Sequence, residues 1–457
     1  MKINNKFLMA AGMIAASVSS LSLQAQETTS GYFLDNYTYR YKMNPAFGNE
    51  TNFVSFPGLG NVNLAMRGSI HVTDFIHVVD GKTVLFTNPG VSSSFINNMP
   101  EMGRIGVDVN ENILSGGWKA WGGYNTVSIN ARAFGVVNIP RTFVELMKEG
   151  LSNRTYSISN MNANMAGWAE IALNHSRDIP MLPGLRVGAA VKFELGIANV
   201  QANFNEANLS LGTDAWTART NADVYVNLGK TRFKTDLNNE NQPYVSGIDD
   251  VSGIGVNGFG MAFDLGATYK WNDFDFSLAI NDLGWISYGN TSKASTNGTK
   301  EFTTDAYTFE ITDSEGGGQE IVDKMTDDLG KLYQLEDMGN VGTRSVAMGA
   351  TLNVGVNYTL PMYRRLHFGV LSSSRFQKDY TWTEVRVSAN VNPVDCFSAD
   401  VNVAFGTYGA AFGWLLNFYH KGFNIFLGMD NTLGKLAKQG IPLNSNASVN
   451  VGINFPF

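Results

Sequence analysis

The last ten residues of the chain, Ser448–Phe457, read SVNVGINFPF and alternate between two kinds of side chain. One parity is apolar and ends in an aromatic residue: Val449, Val451, Ile453, Phe455 and Phe457. The other parity is small or polar: Ser448, Asn450, Gly452 and Asn454. Because successive side chains of a strand point to opposite faces, this alternation predicts a strand with one continuous apolar face. If the pattern occurred only once, an ordinary half-buried strand would explain it.

The same alternation recurs in many other segments. Apolar sets of a single parity are Phe423, Ile425, Leu427 and Met429; Phe412, Trp414, Leu416 and Phe418; Val401, Val403 and Phe405; Val385, Val387 and Val391; and Met261, Phe263, Leu265, Tyr269 and Trp271. The residues between them are mostly small or polar, and no set keeps helical spacing. The chain is therefore predicted to be all-β.

Composition narrows the class of β protein. Charged residues make up 16% of the chain, below the roughly 25% that is usual in soluble domains, whereas aromatic residues make up 12%. After the N-terminal leader, no segment supplies the roughly 18 consecutive apolar residues that a membrane helix needs. A transmembrane β-barrel reconciles these observations, because only every second side chain of its strands faces lipid. The C-terminal stripe then resembles the insertion signal of outer-membrane barrels, with Val451, Ile453, Phe455 and Phe457 as its apolar face.

The N-terminus resembles a secretory signal peptide. Lys2 and Lys6 precede an apolar stretch over residues 7–18, and Ala25 is a plausible last residue before cleavage. Residues 1–25 are therefore excluded from the fold. The single cysteine, Cys396, allows no intramolecular disulfide, and the acidic net charge of -7 argues against a nucleic-acid partner.

The connections between the strands predict the topology. Short turns at 272–273, 360–363, 392–395 and 420–422 suit the periplasmic side, whereas the long polar stretches 290–342 and 431–445 suit extracellular loops. Counting strands back from the C-terminus on this alternation predicts about 14 strands in an antiparallel barrel over residues 103–457. Their expected starts are near 103, 124, 154, 184, 214, 254, 274, 344, 364, 380, 396, 410, 422 and 446. Segments 184–211 and 214–237 are longer than a bilayer crossing and are expected to project beyond it.

Two short helices interrupt the strand pattern. Residues 140–150 begin with proline and end with glycine, and the alternation of the strands places this helix at the periplasmic mouth. Residues 320–338 carry a helical apolar face within the acidic 290–342 loop. We interpret the second helix as a packed element with a solvated face and expect no calcium site there.

Residues 26–102 precede the first predicted strand and contain an aromatic-rich start followed by Asn44, Pro45 and Ala46. With the signal peptide, the strand count and the terminal Phe457, this element resembles the outer-membrane long-chain fatty-acid transporter superfamily. The chain also resembles an uncharacterised barrel family of Bacteroidetes-type bacteria. The resemblance implies that residues 26–102 form a plug inside the barrel, with Asn44, Pro45 and Ala46 as hatch residues. No residue matches a transporter ligand site.

The pairing of residues across two predicted hairpins indicates which charged side chains face the lumen. A two-residue turn at Asn272-Asp273 pairs Trp271 with Phe274 toward lipid and Lys270 with Asp275 behind them. A turn centred on Val394 sets Ser388 opposite Asp400 and makes Arg386 a diagonal neighbour of Asp400. The expected lumen charges are Asp264, Lys270, Asp275, Glu384, Arg386 and Asp400. A Lys or Arg side chain turned to the bilayer midplane costs about 2–4 kcal/mol, so the membrane decides this facing.

Apparent chemical motifs lack the context they need. Gly253, Gly255 and Gly258 spell GxGxxG, but an alternating strand follows where a dinucleotide site requires a helix. Asp108 begins a calcium-like loop whose obligatory glycine position holds Ile113. The five histidines lack close metal-ligand spacing. We therefore expect no catalytic residues, metal or cofactor, and an enzyme is the third and weakest hypothesis.

Two functions remain open. The first is a gated outer-membrane channel of a Gram-negative bacterium for the uptake of small hydrophobic or amphipathic molecules. The second is a protein-binding barrel similar to the shuttle component of the Bacteroidetes secretion system, with the acidic 290–342 loop as the contact. Both imply outer-membrane lipid and the barrel-assembly machinery as partners. A small hydrophobic ligand retained in the lumen favours the first function, and a co-purifying secretion partner favours the second.

Phe457 is expected to serve membrane assembly. Its deletion removes the last aromatic residue of the apolar stripe, so the amount of folded, heat-modifiable protein in the outer membrane should fall sharply while export across the inner membrane continues. Gel mobility of unheated membrane fractions measures this. Unchanged membrane levels would reject the insertion-signal interpretation.

Overall fold

A computed structural model describes residues 28–150, 152–212, 215–238, 241–305, 334–431 and 446–457. In chain order its strands are β1 (Phe53–Ser55), β2 (Asn61–Gly68), β3 (Ile76–Val79), β4 (Lys82–Leu85), β5 (Met102–Ala120), β6 (Gly123–Pro140), β7 (Thr155–Ser157), β8 (Met161–Asp178), β9 (Leu185–Leu211), β10 (Ala215–Leu228), β11 (Lys230–Leu237), β12 (Pro243–Ser252), β13 (Gly258–Trp271), β14 (Phe274–Tyr288), β15 (Ser292–Ser295), β16 (Lys300–Asp305), β17 (Glu336–Asn340), β18 (Arg344–Ala347), β19 (Ala350–Thr359), β20 (Leu366–Phe376), β21 (Trp382–Val394), β22 (Phe397–Gly406), β23 (Gly409–His420), β24 (Phe423–Met429) and β25 (Ala447–Pro456). Helices α1 (Val72–Phe75) and α2 (Arg141–Glu149) and the 3-10 helices Thr38–Lys42 and Ser93–Asn98 complete the described elements. None of the described helices is long and apolar enough to cross a membrane.

The strands close into a transmembrane antiparallel barrel of 14 strands, as predicted. β1 and β2 together form the first barrel strand, because both pair with β5 on one side and with β25 on the other. The remaining thirteen are β5, β6, β8, β9, β13, β14 and β19 to β25. Closure leaves no free edge in the wall, so backbone groups at membrane depth find partners within the sheet.

Two compensating errors lie behind the correct strand count. The segment near 214, predicted as a barrel strand, is β10, which pairs with residues 198–211 of β9 beyond the point where β13 leaves that strand. Conversely, residues 53–68, predicted as part of the plug, belong to the wall. The boundary at residue 103 is therefore wrong, since alternation along a strand does not reveal whether the strand lies at membrane depth.

Counting β10 as a barrel strand also placed the first predicted helix, residues 140–150, at the wrong end of the barrel. The short turns after β5, β8, β13, β19, β21 and β23 all lie at the barrel end that holds Phe457, whose amide N–H donates to the Asn52 carbonyl. We call this the turn end and the opposite end the loop end. α2 follows β6 and therefore lies at the loop end, not at the mouth predicted for it. Counting β10 as a barrel strand inverted the direction of every strand before it.

A sheet projects from the loop end beyond the wall, as the length of β9 predicted. β10 pairs with β9, β15 and β16, and β15 pairs with β17. The described parts of the 290–342 loop thus belong to this sheet. Of the second predicted helix, residues 320–333 lie outside the described residues, and Glu336–Asn340 is a strand, so the helix does not extend to Met338.

The register of the two predicted hairpins differs in outcome. Trp271 pairs with Phe274 and Lys270 pairs with Asp275, which confirms the first prediction. In the second hairpin Asp400 lies opposite Asn390, so the pairing with Ser388 is wrong. The turn lies at residues 395–396, because Val394 pairs with Phe397, and not at Val394 as predicted; a one-residue register shift between Val391 and Val394 then sets the pairing of the rest of the ladder.

Barrel closure predicts a specific covalent link. Leu64 of β2 lies opposite Val449 of β25, so cysteines at these two positions, in a Cys396→Ser background, should form an oxidation-dependent crosslink. A reversible mobility shift on denaturing gels measures it. The control pair of cysteines at Leu64 and Ile453 should not react, because these residues lie four positions apart in register. Equal crosslinking of both pairs would contradict the closure.

Candidate functional site

Residues 28–52, here called the lumen segment, lie inside the barrel. Five of its aromatic side chains are buried: Tyr32, Phe33, Tyr37, Tyr39 and Tyr41. They pack with each other and with wall residues Leu371, Leu415 and Phe426 in one apolar cluster. The Tyr37 ring meets the Phe426 ring edge-on at 5.0 Å between centroids. This aromatic packing fixes the segment across the lumen.

The wall around the segment is lined with asparagine. Asn454 donates to Asn424 at 2.8 Å, Asn424 donates to Asn417 at 2.7 Å, and Asn417 donates to Ser398 at 3.3 Å. Each is fully or almost fully buried. An amide side chain both donates and accepts, so a ladder of amides satisfies neighbouring strands without burying charge. The segment joins this ladder, since the Thr38 hydroxyl donates to Asn454 at 3.2 Å.

The Asn44-Pro45-Ala46 element sits directly on the wall. The Asn44 side chain is fully buried and donates to the carbonyls of Ala267 and Leu278 at 3.4 Å each, while its oxygen accepts the Ala46 amide at 3.0 Å. A Cβ at Gly266 would overlap Asn44 and Pro45, and one at Gly188 would overlap the Pro45 carbonyl. Two glycines in adjacent strands therefore form the notch that receives this element.

Two wall asparagines secure the residue before this element. Asn281 and Asn353 donate to the Met43 carbonyl at 2.7 and 3.0 Å. Neither was identified from the sequence, because asparagine at a polar strand position carries no signal of its own. The three residues proposed as hatch residues thus lie against β9, β13 and β14, with Met43 anchored beside them.

A carboxylate holds the first described residues of the segment. Asp430 accepts the amide N–H groups of Thr29 at 2.9 Å and Ser30 at 2.6 Å, and Arg67 lies 3.2 Å from the same carboxylate. Burial alone would raise the pKa of Asp430, but Arg386, Arg67 and the two amides outweigh it and hold the pKa below its usual range. Asp430 therefore stays ionised and acts as an anchor for the segment.

A layer of ion pairs crosses the middle of the lumen. Arg132 binds Glu170 at 2.6 Å and both oxygens of Asp282 at 2.8 Å, and Lys192 binds Asp264 and Asp282 at 2.7 Å each. Asp282 has a φ of 60° beside a register shift in the β13–β14 pair, and its amide donates to Asp264 at 2.7 Å. Since a positive φ is unusual for a non-glycine residue in a strand, the bulge positions this carboxylate between the two cations.

The six expected lumen charges occupy different depths. Asp264, Arg386 and Asp400 are buried, and Glu384 accepts from Arg386 at 2.6 Å along the same strand. Arg386 thus pairs with Glu384, not diagonally with Asp400. Lys270 and Asp275 lie 4.0 Å apart at the turn end, where the Lys270 side chain is 74% exposed.

Five charged residues of this layer were not predicted from the sequence: Arg132, Glu170, Lys192, Glu194 and Asp282. The first four occupy polar positions of alternating strands, so the parity argument that gave Asp264 was sufficient to find them. The parity argument could not have identified Asp282, because the bulge changes the parity of β14 at that point.

Between the ion-pair layer and the loop end, arginines stack on aromatic rings. Arg67 lies over Trp382 at 4.9 Å, Arg132 over Trp168 at 5.3 Å and Arg375 over Phe134 at 5.0 Å. Tyr380 descends from the β20–β21 connection into this layer, where its ring occupies the space that a side chain at Gly106 would take and its hydroxyl donates to the Arg67 carbonyl at 3.1 Å. Desolvated cation–π contacts of this kind stabilise by about 2 kcal/mol each.

Two cavities of the described residues lie at the turn end. A cavity of about 760 Å³ opens there beneath the lumen segment, lined in part by Phe33, Phe47, Tyr124 and Arg186. A second cavity of about 360 Å³ lies beside it and shares Asp35, Asn49 and Glu50. A cavity deeper in the lumen, at the ion-pair layer, is far smaller, with a volume of about 40 Å³. The lumen segment thus separates a wide vestibule from a closely packed interior.

The model of a family of unknown function, DUF5723, matches residues 45–430. The chain belongs to this family. A search of curated sequences finds no match.

Solved barrel structures similar to the chain include two toluene transporters. TodX of Pseudomonas putida has 10% identity, a TM-score of 0.41, and coverage of 95% of this chain and 98% of that chain. TbuX of Ralstonia pickettii has 10% identity, a TM-score of 0.41, and coverage of 91% and 92%. A FadL homologue of Pseudomonas aeruginosa has 10% identity, a TM-score of 0.33, and coverage of 95% and 98%.

The glycine notch predicts a position-specific effect of alanine. Gly266→Ala places a methyl group against Asn44 and Pro45 and should lower the free energy of unfolding by about 1–3 kcal/mol, while raising protease cleavage within residues 28–52. Gly167→Ala is the control, since a Cβ there meets no atom within 4 Å. Denaturant titration in micelles and limited proteolysis measure both. Indistinguishable effects of the two variants would refute docking of the element at this notch.

Proposed function

We propose that the protein is an outer-membrane channel for small amphipathic molecules, closed in this conformation by the lumen segment, with the turn end toward the periplasm. The observation that carries the proposal is the position of this segment between a wide vestibule and the lumen. The closed apolar wall supports a membrane location. The signal peptide and C-terminal stripe predicted from the sequence support the outer membrane.

The chemistry of the vestibule supports an amphipathic ligand. Phe33, Phe47 and Tyr124 supply aromatic surface. Charged groups of both signs line the same cavity as ion pairs: Arg40 with Asp35, Arg186 with Asp178 and Lys270 with Asp275. The Arg40 guanidinium lies 4.6 Å from the centroid of Phe47, so polar and apolar groups are interleaved. The asparagine-lined wall above is polar, which disfavours a wholly apolar conduit. Ligand pockets of this size accept drug-sized molecules.

The lumen segment is suited to movement. It is held by side-chain hydrogen bonds, by the Asp430 anchor and by aromatic packing, and within the described residues it joins the wall covalently only at β1. Displacement of the segment therefore leaves the 14-strand ladder intact. A segment held by many weak contacts can shift when a ligand binds the displaced state more tightly.

Removal of the segment tests the proposal. Deletion of residues 28–47 spares β1 and β2, so the barrel should still fold, and its single-channel conductance in planar bilayers should exceed that of the intact protein severalfold.

Asp430→Asn weakens the anchor and should increase the frequency of openings without changing the conductance of the open state.

Asp249→Asn is the matched control, because Asp249 pairs with Arg232 at an exposed position on the β11–β12 hairpin. It should behave like the intact protein. Folded deletion protein with unaltered conductance would contradict the proposed channel.

A further inference from the structure

One carboxylate in the ion-pair layer has no cationic partner among the described residues. Glu194 of β9 is fully buried, and neither of its oxygens has a hydrogen-bond partner among the described residues. It shares the lumen face with Lys192, two residues away on the same strand, and lies directly opposite Glu170 of β8. Directly opposed side chains in a sheet are about 4.5–5.5 Å apart at Cβ, so two carboxyl groups face each other here.

The neighbouring cations are already engaged. Arg132 is bound to Glu170 and Asp282, and Lys192 is bound to Asp264 and Asp282. Lys42 of the lumen segment lines the cavity beside this layer and donates to Asn130 at 3.1 Å. Glu170, Glu194, Asp264 and Asp282 therefore face Lys42, Arg132 and Lys192, an excess of one negative charge.

The surroundings of Glu194 on its remaining sides are aromatic. The Tyr288 ring of β14 stands over Gly196, which lies two residues from Glu194 on β9. Trp168 of β8 lies opposite Gly196. The Tyr288 hydroxyl and the Trp168 indole N–H are buried and also lack partners among the described residues. Arg344, the next cation outward, is directed to Asn199 at 2.8 Å and stacks on Tyr225. A bare carboxylate buried in such a site carries a large desolvation cost unless it is neutralised.

A bound metal ion is not supported as the neutralising charge. Among the described parts of the chain, no group of three or more His, Cys, Asp or Glu side chains is arranged to hold one. A single proton requires no such set of ligands.

We propose that Glu194 is a proton-binding site, occupied when the lumen is closed and emptied when displacement of Lys42 with the lumen segment admits water to the layer. The closed state then holds one proton more than the open state. Closure is favoured at low pH, and the ratio of open to closed channels rises by up to tenfold per pH unit as pH increases. The gating consequence rests on the proposed channel function, whereas the proton site itself does not.

Infrared spectroscopy of the full chain in lipid tests the site directly. At neutral pH the intact protein should show the carbonyl stretch of a protonated carboxyl group that Glu194→Gln lacks and Glu301→Gln, a surface control, retains. Glu170→Gln is a second variant that keeps Glu194; it frees Arg132 to pair with that carboxylate and should also remove the band. Identical bands in the intact protein and Glu194→Gln would overturn the proposal.

Conductance measurements at different pH values test whether proton binding at Glu194 is coupled to channel opening. The open fraction of the intact channel should increase with pH, Glu194→Gln should lose that dependence, and Glu301→Gln should keep it. A Glu194→Gln channel with the slope of the intact protein would overturn the coupling. Absence of conductance at every pH, also after deletion of residues 28–47, together with the infrared band, would refute the channel and leave the proton site supported.

Discussion

The structure depends on one constraint: backbone N–H and C=O groups at membrane depth have no water to bond, so the sheet must close on itself. Closure is made where the two ends of the sequence meet, since β1 and β2 fill the gap between β25 and β5. This explains why the chain enters the wall as early as Phe53 and leaves only residues 28–52 of the described N-terminus to occupy the lumen. The same closure makes the C-terminal strand a partner of the first one, which gives the terminal apolar stripe its place on the outer surface.

A closed wall with an apolar exterior must place its polar residues inside, and the composition of the interior decides what the lumen can do. Asparagine ladders satisfy hydrogen bonds without charge, and charged side chains are gathered into matched groups around Arg67, Arg132, Lys192, Arg375 and Arg386. Aromatic residues of the lumen segment fill the remaining space against this polar wall. These contacts are individually weak, and in the ion-pair layer the Glu194 carboxyl group is left over when the charges are matched.

The sequence predicts the barrel, its strand number, the outward parity and the Trp271–Phe274 hairpin, because period-two alternation is imposed directly by the bilayer. The prediction fails where the structure depends on how far a strand lies from the barrel wall or on an irregularity within a strand. β10 alternates like a barrel strand but pairs with β9 beyond the barrel wall, and this one misassignment placed α2 at the wrong end. The bulge beside Asp282 changes the parity of β14, and the turn of the second hairpin lies at residues 395–396 instead of at Val394; neither is visible in the alternation. The notch formed by Gly188 and Gly266 depends on contacts between residues far apart in the chain, so only the short Asn44-Pro45-Ala46 resemblance pointed toward it.

We propose that the lumen segment closes the barrel and moves to open it. The most direct measurement fixes the segment to the wall. Thr38 and Asn454 are in side-chain contact at 3.2 Å, so cysteines at both positions in a Cys396→Ser background can be bridged by a short thiol-specific crosslinker with a cleavable disulfide. Single-channel recordings in planar bilayers, before and after cleavage of the bridge, then give the answer. The account predicts that bridged protein shows no openings and that cleavage restores them; bridged protein that opens as often as the cleaved form would contradict it.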